Sequence, residues 1–288
     1  MSQLQLPSSL VSVNWLQENQ NGENLVILDA SVPPIIPFTS RAIPEDITQR
    51  HIPGALRFDY DKKICDQSAN FPHMMPDADY FAAQVRKLGI SNESAVLIYD
   101  NVGVYASPRA WWMFKAMGHD NVAVLDGGSV AWYQAGLKMS AELPDESSVK
   151  GRFDPAERSE SFCDAMAVYQ LLHDSTGTVV DARSEGRFYG RDPEPRNNLR
   201  GGHMPGSKCV PFQRVLNEIY MKPPEELRLV LGEVANPAQL MVATCGSGLS
   251  ACILTLAAEL AGFKKLSVYD ASWCEWGLPG KLPVTLED

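Results

Sequence analysis

Apolar residues run unbroken through Leu240–Thr244, then recur at helical spacing over 252–261 and stop at Gly262. Between the two stretches stand Cys245, Gly246, Ser247, Gly248, Leu249, Ser250 and Ala251. The pattern predicts a buried strand, a tight glycine-bearing loop and a helix, with a cysteine at the first loop position. Two further helices are predicted over 77–88, ending before Gly89, and over 108–117, ending before Gly118.

The same pattern occurs twice along the chain. A run ending in Asp29-Ala30 is followed by His51-Ile52-Pro53-Gly54-Ala55, and a run ending in Asp181-Ala182 by His203-Met204-Pro205-Gly206-Ser207. The aspartate precedes the histidine by 22 positions in both cases. Further on, Asp126 precedes Trp132 as Asp270 precedes Trp276, by six positions. Counting back 25 positions from Asp270 reaches Cys245, and the same step from Asp126 reaches Asn101. In each half short strands alternate with helices, which predicts an α/β class with a mainly parallel sheet flanked by helices. The expected organisation is an N-terminal, non-catalytic copy over 1–140 and a Glu-, Ser- and Pro-containing linker over 141–160. A C-terminal copy over 161–288 carries the cysteine.

A length of 288 residues suits two domains of this kind. A formal charge of −10 argues against nucleic acid and anionic membrane as partners. Six cysteines without CxxC pairs argue for a reducing compartment and against zinc or a disulfide framework. The first forty residues hold no lysine or arginine, so no signal or transit peptide is expected. With no bilayer-length apolar run, a cytoplasmic protein is expected.

Cys65, Cys163, Cys209, Cys252 and Cys274 read as small buried hydrophobes. Cys245 does not, because burial alone requires neither two glycines nor two hydroxyl residues directly after it. A loop at a helix start aims N–H groups at one point and stabilises an anion there. A free thiol with pKa ~8.5 is mostly protonated at neutral pH, and lowering that value by about two units takes roughly 2.7 kcal/mol. Two or three charge-assisted N–H contacts are of that size, and neither metal nor cofactor is needed. A Cys-x5-Arg phosphatase loop is excluded, since the sixth residue after Cys245 is Ala251.

These residues resemble the tandem rhodanese-domain sulfurtransferases over essentially the whole length. The likeness rests on the His-x-Pro-Gly-Ala/Ser motif in both halves, the Trp273, Trp276, Gly277 segment and the cysteine loop. Members that use thiosulfate typically carry Cys-Arg-Lys-Gly-Val-Thr-Ala, and members that use 3-mercaptopyruvate carry Cys-Gly-Ser-Gly-Val-Thr-Ala. This loop is similar to the second, with Leu249-Ser250 where Val-Thr is usual. The resemblance implies a Cys245 persulfide and substrate contacts from Gly246, Gly248, Leu249 and Ser250. It also implies that Arg187 and Arg196 clamp the donor's carboxylate and carbonyl, and guanidinium groups suit such an α-keto acid. Ser247, His73 and Asp61 match the family's proton-handling positions. The implied acceptor is a small thiol, a thioredoxin-like protein or cyanide. Structural roles are expected of His51 and His203 in their turns, and of Arg183 as an ion-pair partner of Asp181. Two rival readings are a thiosulfate:cyanide sulfurtransferase and a non-catalytic persulfide carrier.

Overall fold

The computed structural model describes residues 3–35, 45–280 and 282–286. It divides into two units. The first comprises Met1–Gln67, Met75–Arg158 and Glu218–Met221, and the second Ser68–Met74, Ser159–Asn217 and Lys222–Asp288.

In the first unit, β1 (Leu10–Val11), β2 (Leu25–Asp29), β3 (Leu56–Arg57), β4 (Ala95–Tyr99) and β5 (Val122–Leu125) form one sheet. Their order is β1-β5-β4-β2-β3 and every pairing is parallel. Parallel neighbours require crossover connections. Those connections carry α1 (Val13–Asn19), α2 (Glu45–Thr48), α3 (Ala78–Lys87) and α4 (Ser107–Ala116), and α5 (Gly128–Gln134) follows β5. The sequence predicted α3 and α4 to within a residue or two at each end. The reason is local: Asp77 caps α3 by accepting the Tyr80 N–H at 2.7 Å, and Arg86 and Lys87 occupy its last turn. Residues 141–158 run as part of this unit. Phe153 is fully buried there, edge-on to Phe81 and Phe114.

The second unit repeats the plan with β6 (Phe162–Cys163), β7 (Gly177–Asp181) and β8 (Lys208–Cys209). The short strands β9 (Leu216–Asn217) and β10 (Tyr220–Met221) follow, β10 grouping with the first unit, and then β11 (Leu240–Thr244) and β12 (Leu266–Tyr269). The sheet order is β6-β12-β11-β7-β8, again wholly parallel. Its helices are α6 (Ala165–Asp174), α7 (Glu185–Phe188), α8 (Pro224–Gly232), α9 (Ala251–Leu260) and α10 (Ser272–Trp276). Every residue of α9 from Ala251 to Ala258 is buried, so its apolar character all round is a core signature. Among the described residues no helix is long and apolar enough to cross a membrane.

The repeated aspartate–histidine spacing builds two different structures. Asp29 accepts from His51 Nδ1 at 2.8 Å and lies near Arg57; these contacts outweigh burial and hold its carboxyl below the usual range. Asp181 pairs instead with Arg183, whose guanidinium reaches it at 2.7 Å. His203, released from that aspartate, bonds the Phe188 carbonyl at 3.0 Å and stacks on the Phe188 ring.

Strand register corrects one point of the sequence alignment, which set Asn101 opposite Cys245. Asp29 pairs with Tyr99 as Asp181 pairs with Thr244, so the residue after each strand is Asp100 in one copy and Cys245 in the other. Hydrogen bonds agree: the Asp100 carbonyl accepts from Ser129 N–H at 3.0 Å, the Cys245 carbonyl from Trp273 N–H at 3.0 Å. The first loop, 100–106, is one residue longer than the second, 245–250, and counting back from Asp126 absorbed that insertion.

Candidate active site

In the first unit the loop between β4 and α4 closes on its own carboxylate. Asp100 is 1% exposed and accepts from the N–H groups of Val102, Gly103, Tyr105, Ala106 and Ser107 and from the Ser107 hydroxyl, at 2.7–3.1 Å. Burial raises its pKa and those six bonds oppose the rise. The loop is thus an anion cradle occupied from within.

In the second unit the corresponding loop lacks that carboxylate. Cys245 heads it, and among the described residues the N–H groups of Ser247, Leu249, Ser250 and Ala251 meet no acceptor. These are the counterparts of Val102, Tyr105, Ala106 and Ser107. Gly248 takes φ of +76°, a left-handed conformation that a side chain disfavours, and so folds the amides inward. Ser250 starts α9 without a side-chain cap bond, and Leu249 is buried behind the loop. Cys252 Sγ ties back to the Gly248 carbonyl at 3.3 Å.

Cys245 is only 2% exposed. Its setting is polar, not apolar. Its own N–H donates to Ser272 Oγ at 3.2 Å, and Ser247 beside it accepts from Arg196 Nη2 at 3.3 Å. Two guanidinium groups lie against Gly246, where a Cβ would stand 3.1 Å from Arg187 Nη2 and 3.7 Å from Arg196 Nη1. Gly246, having no side chain, leaves room for both guanidinium groups beside the loop.

Arg187 sits on α7, which Ser184 caps by accepting the Arg187 N–H at 3.3 Å. Its guanidinium is held by Glu194 Oε2 through Nε at 3.2 Å and through Nη2. The other Glu194 oxygen accepts from Arg183 Nη1 at 2.8 Å. Arg183 in turn is anchored to Asp181 and the Gly202 carbonyl, and lies over the Trp273 ring at 3.9 Å. Glu194 therefore links a structural arginine to an arginine of the site. Sequence reading missed it, because a glutamate among four arginines carries no signal of which two it joins. Arg191 is exposed and lies over Tyr189.

His73, although it comes from the first half of the chain, belongs to the segment Ser68–Met74 of the second unit. Phe71 and Met74 pack there on the core around Trp273 and Trp276. His73 is buried and takes φ of +62°. Asp61 lies in the first unit, half-buried, its carbonyl accepting from Cys65 Sγ at 3.6 Å.

All six cysteines are free. Burial pushes the thiols of Cys163 and Cys274 up to about 11 and that of Cys209 up to about 12, and also raises Cys65. Such thiols are poor nucleophiles near neutral pH. Among the described residues no cluster of His, Cys, Asp and Glu is arranged to hold a metal.

A family model described as a rhodanese-like domain matches the chain twice, over residues 12–135 and 164–278. The chain is 39% identical over 289 residues to mouse 3-mercaptopyruvate sulfurtransferase, covering 96% of this chain and 94% of that protein. It is 37% identical over 279 residues to a thiosulfate sulfurtransferase of Cricetulus griseus, covering 93% and 91%. The crystal structure of SseA, a 3-mercaptopyruvate sulfotransferase from Escherichia coli, superposes with a TM-score of 0.78 at 29% identity, covering 92% of this chain and 99% of that one.

Proposed function

Because the chain belongs to the rhodanese-like domain family and is a sulfurtransferase, we propose that it takes the sulfur of 3-mercaptopyruvate onto Cys245 and passes it to a thiol or cyanide. The observation that carries this reading is the cradle: four amides that enclose a carboxylate in one copy have counterparts in the Cys245 loop, Ser247, Leu249, Ser250 and Ala251, that meet no acceptor among the described residues. A negatively charged sulfur is the group such a loop favours.

In the proposed reaction the Cys245 thiolate attacks the donor's sulfur. The new bond is S–S and the bond that breaks is C–S, so pyruvate departs as its enolate. Arg187 and Arg196, both against Gly246, hold the carboxylate and carbonyl and take up charge as the enolate forms. The enolate carbon is then protonated through Ser247, and His73 and Asp61 are the further residues proposed to handle protons. An acceptor attacks the outer sulfur of the persulfide and regenerates the Cys245 thiolate, in a ping-pong scheme. Gly246, Gly248, Leu249 and Ser250 contribute the loop backbone against which the donor lies. A small thiol or a thioredoxin-like protein is the proposed acceptor, and the six free cysteines are in keeping with a reducing, cytoplasmic setting.

Mass analysis of protein mixed with 3-mercaptopyruvate alone tests this. One extra sulfur on Cys245 is expected, and its absence refutes the covalent step. A ratio of kcat/KM values for 3-mercaptopyruvate over thiosulfate above unity is expected; the reverse favours a thiosulfate sulfurtransferase. Sulfur release that stops at one equivalent with excess donor and acceptor favours a carrier.

A further inference from the structure

We propose that Ser272 is a positioning residue for Cys245, fixing the backbone of the nucleophile from one turn away; this rests on the reading of Cys245 as the nucleophile. Ser272 is fully buried and takes φ of +51°, a conformation that costs a residue with a side chain about 1 kcal/mol or more. Its hydroxyl is saturated. Oγ donates to the Tyr269 carbonyl at 2.7 Å and accepts from the Cys245 N–H and from Thr244 Oγ1, each at 3.2 Å. The next residue, Trp273, gives its N–H to the Cys245 carbonyl at 3.0 Å. Consecutive residues thus hold both polar backbone groups of Cys245.

The duplicated copy supplies the comparison. The residue two after Asp126, as Ser272 is two after Asp270, is Gly128, with nearly the same φ of +59°. Glycine is the residue this conformation favours, and there a Cβ would stand 2.2 Å from the Asp100 carbonyl oxygen. The carbonyl tie survives in that copy through Ser129, but glycine brings no hydroxyl to the Asp100 N–H. A strained serine that caps the N–H of the loop's first residue therefore occurs where that residue is a thiol. With N–H and C=O both fixed, the Cα–Cβ bond of Cys245 has one direction, which confines the sulfur to the staggered positions about that bond. A nucleophile displaced by about 1 Å loses on the order of a hundredfold in rate.

Ser272→Gly and Ser272→Ala separate this role from a structural one, since both lose the hydroxyl and only glycine relieves the strain. Each full-length variant is compared with the parent for thermal midpoint, for kcat and KM with 3-mercaptopyruvate and 2-mercaptoethanol, and for sulfur uptake on Cys245 with donor alone. The expected result is a kcat lower by about ten- to a hundredfold in both variants, with the donor KM within about twofold. The midpoint should be higher for glycine than for alanine. A kcat that instead follows the midpoint, with glycine close to the parent, overturns the proposal. Should neither variant fold, hydrogen exchange of the Cys245 amide in the parent decides: protection supports the tie to Ser272, and exchange at the rate of an open loop overturns it. Failure of the parent itself to take up sulfur on Cys245 refutes the nucleophile reading, and this proposal with it. Equal rates of uptake by parent and glycine variant refute only the positioning.

Discussion

Asp100 and Cys245 are counterparts: each is the first residue after the central strand of its sheet, and each gives its carbonyl to an N–H of the turn after the next strand at 3.0 Å. One side chain is an anion that fills its loop, and the other is a thiol in a loop where, among the described residues, the N–H groups of Ser247, Leu249, Ser250 and Ala251 meet no acceptor. The two loops are one architecture that holds a carboxylate in one copy and a thiol in the other.

Asp100→Asn removes a charge that accepts six hydrogen bonds and puts an NH2 group against N–H donors. Unpaired donors in a buried loop cost about 1–3 kcal/mol each, so a loss of at least about 2 kcal/mol is expected by denaturant unfolding. Cys245→Ser in the other loop should leave stability within about 1 kcal/mol and abolish sulfur uptake. An Asp100→Asn protein as stable as the parent contradicts the cradle.

Gly246→Arg brings a Cβ to 3.1 Å from Arg187 Nη2 and adds a third cation beside it. The clamp must move, so kcat/KM with 3-mercaptopyruvate should fall at least about tenfold, with thiosulfate, a dianion, affected less. Arg187→Ala should likewise harm the keto-acid donor more than thiosulfate. Equal losses with both donors contradict the assignment of the clamp.

Glu194 links Arg183 to Arg187, and its side chain is 2% exposed. Removing one member of a buried ionic network costs about 3–5 kcal/mol, because the remaining charges lose their partner. Glu194→Gln retains the shape and some of the bonds, so a smaller loss is expected, together with a raised donor KM as Arg187 loosens. Unchanged KM in a folded Glu194→Gln protein would show that Arg187 is placed by other contacts.

Asp126 gives a pH dependence of known sign. Burial raises its carboxyl to about 6, against hydrogen bonds from Met221 and Gly127. A carboxyl whose pKa is higher in the folded chain favours folding when protonated. That contribution is complete below the unfolded value near 3.8 and is lost as pH rises through about 6. Asp126→Asn should therefore stabilise the protein at about pH 8 by up to about 3 kcal/mol. The advantage should shrink to nothing as pH falls to about 4, as read from thermal midpoints of the two proteins. A constant difference across that range rules out titration of Asp126.

Much of the fold was legible because it is written locally. The apolar run of β11, the helical spacing of α9 and the cap at Asp77 each depend on residues a few positions apart. The duplicated spacings placed both copies, yet they could not place the one-residue difference between the loops. Only strand register, a contact between distant segments, assigned Asp100 in place of Asn101.

Sequence by itself determined the strand–loop–helix with cysteine at its head and the repeat, because identity and spacing along the chain suffice for these. Tertiary structure decided which arginines meet Gly246, that Glu194 joins two of them, and that Ser272 holds the Cys245 amide. Those pairings link residues 7 to 59 positions apart, and charge and hydroxyl groups carry no address. The partner each finds is set by where the folded strands end.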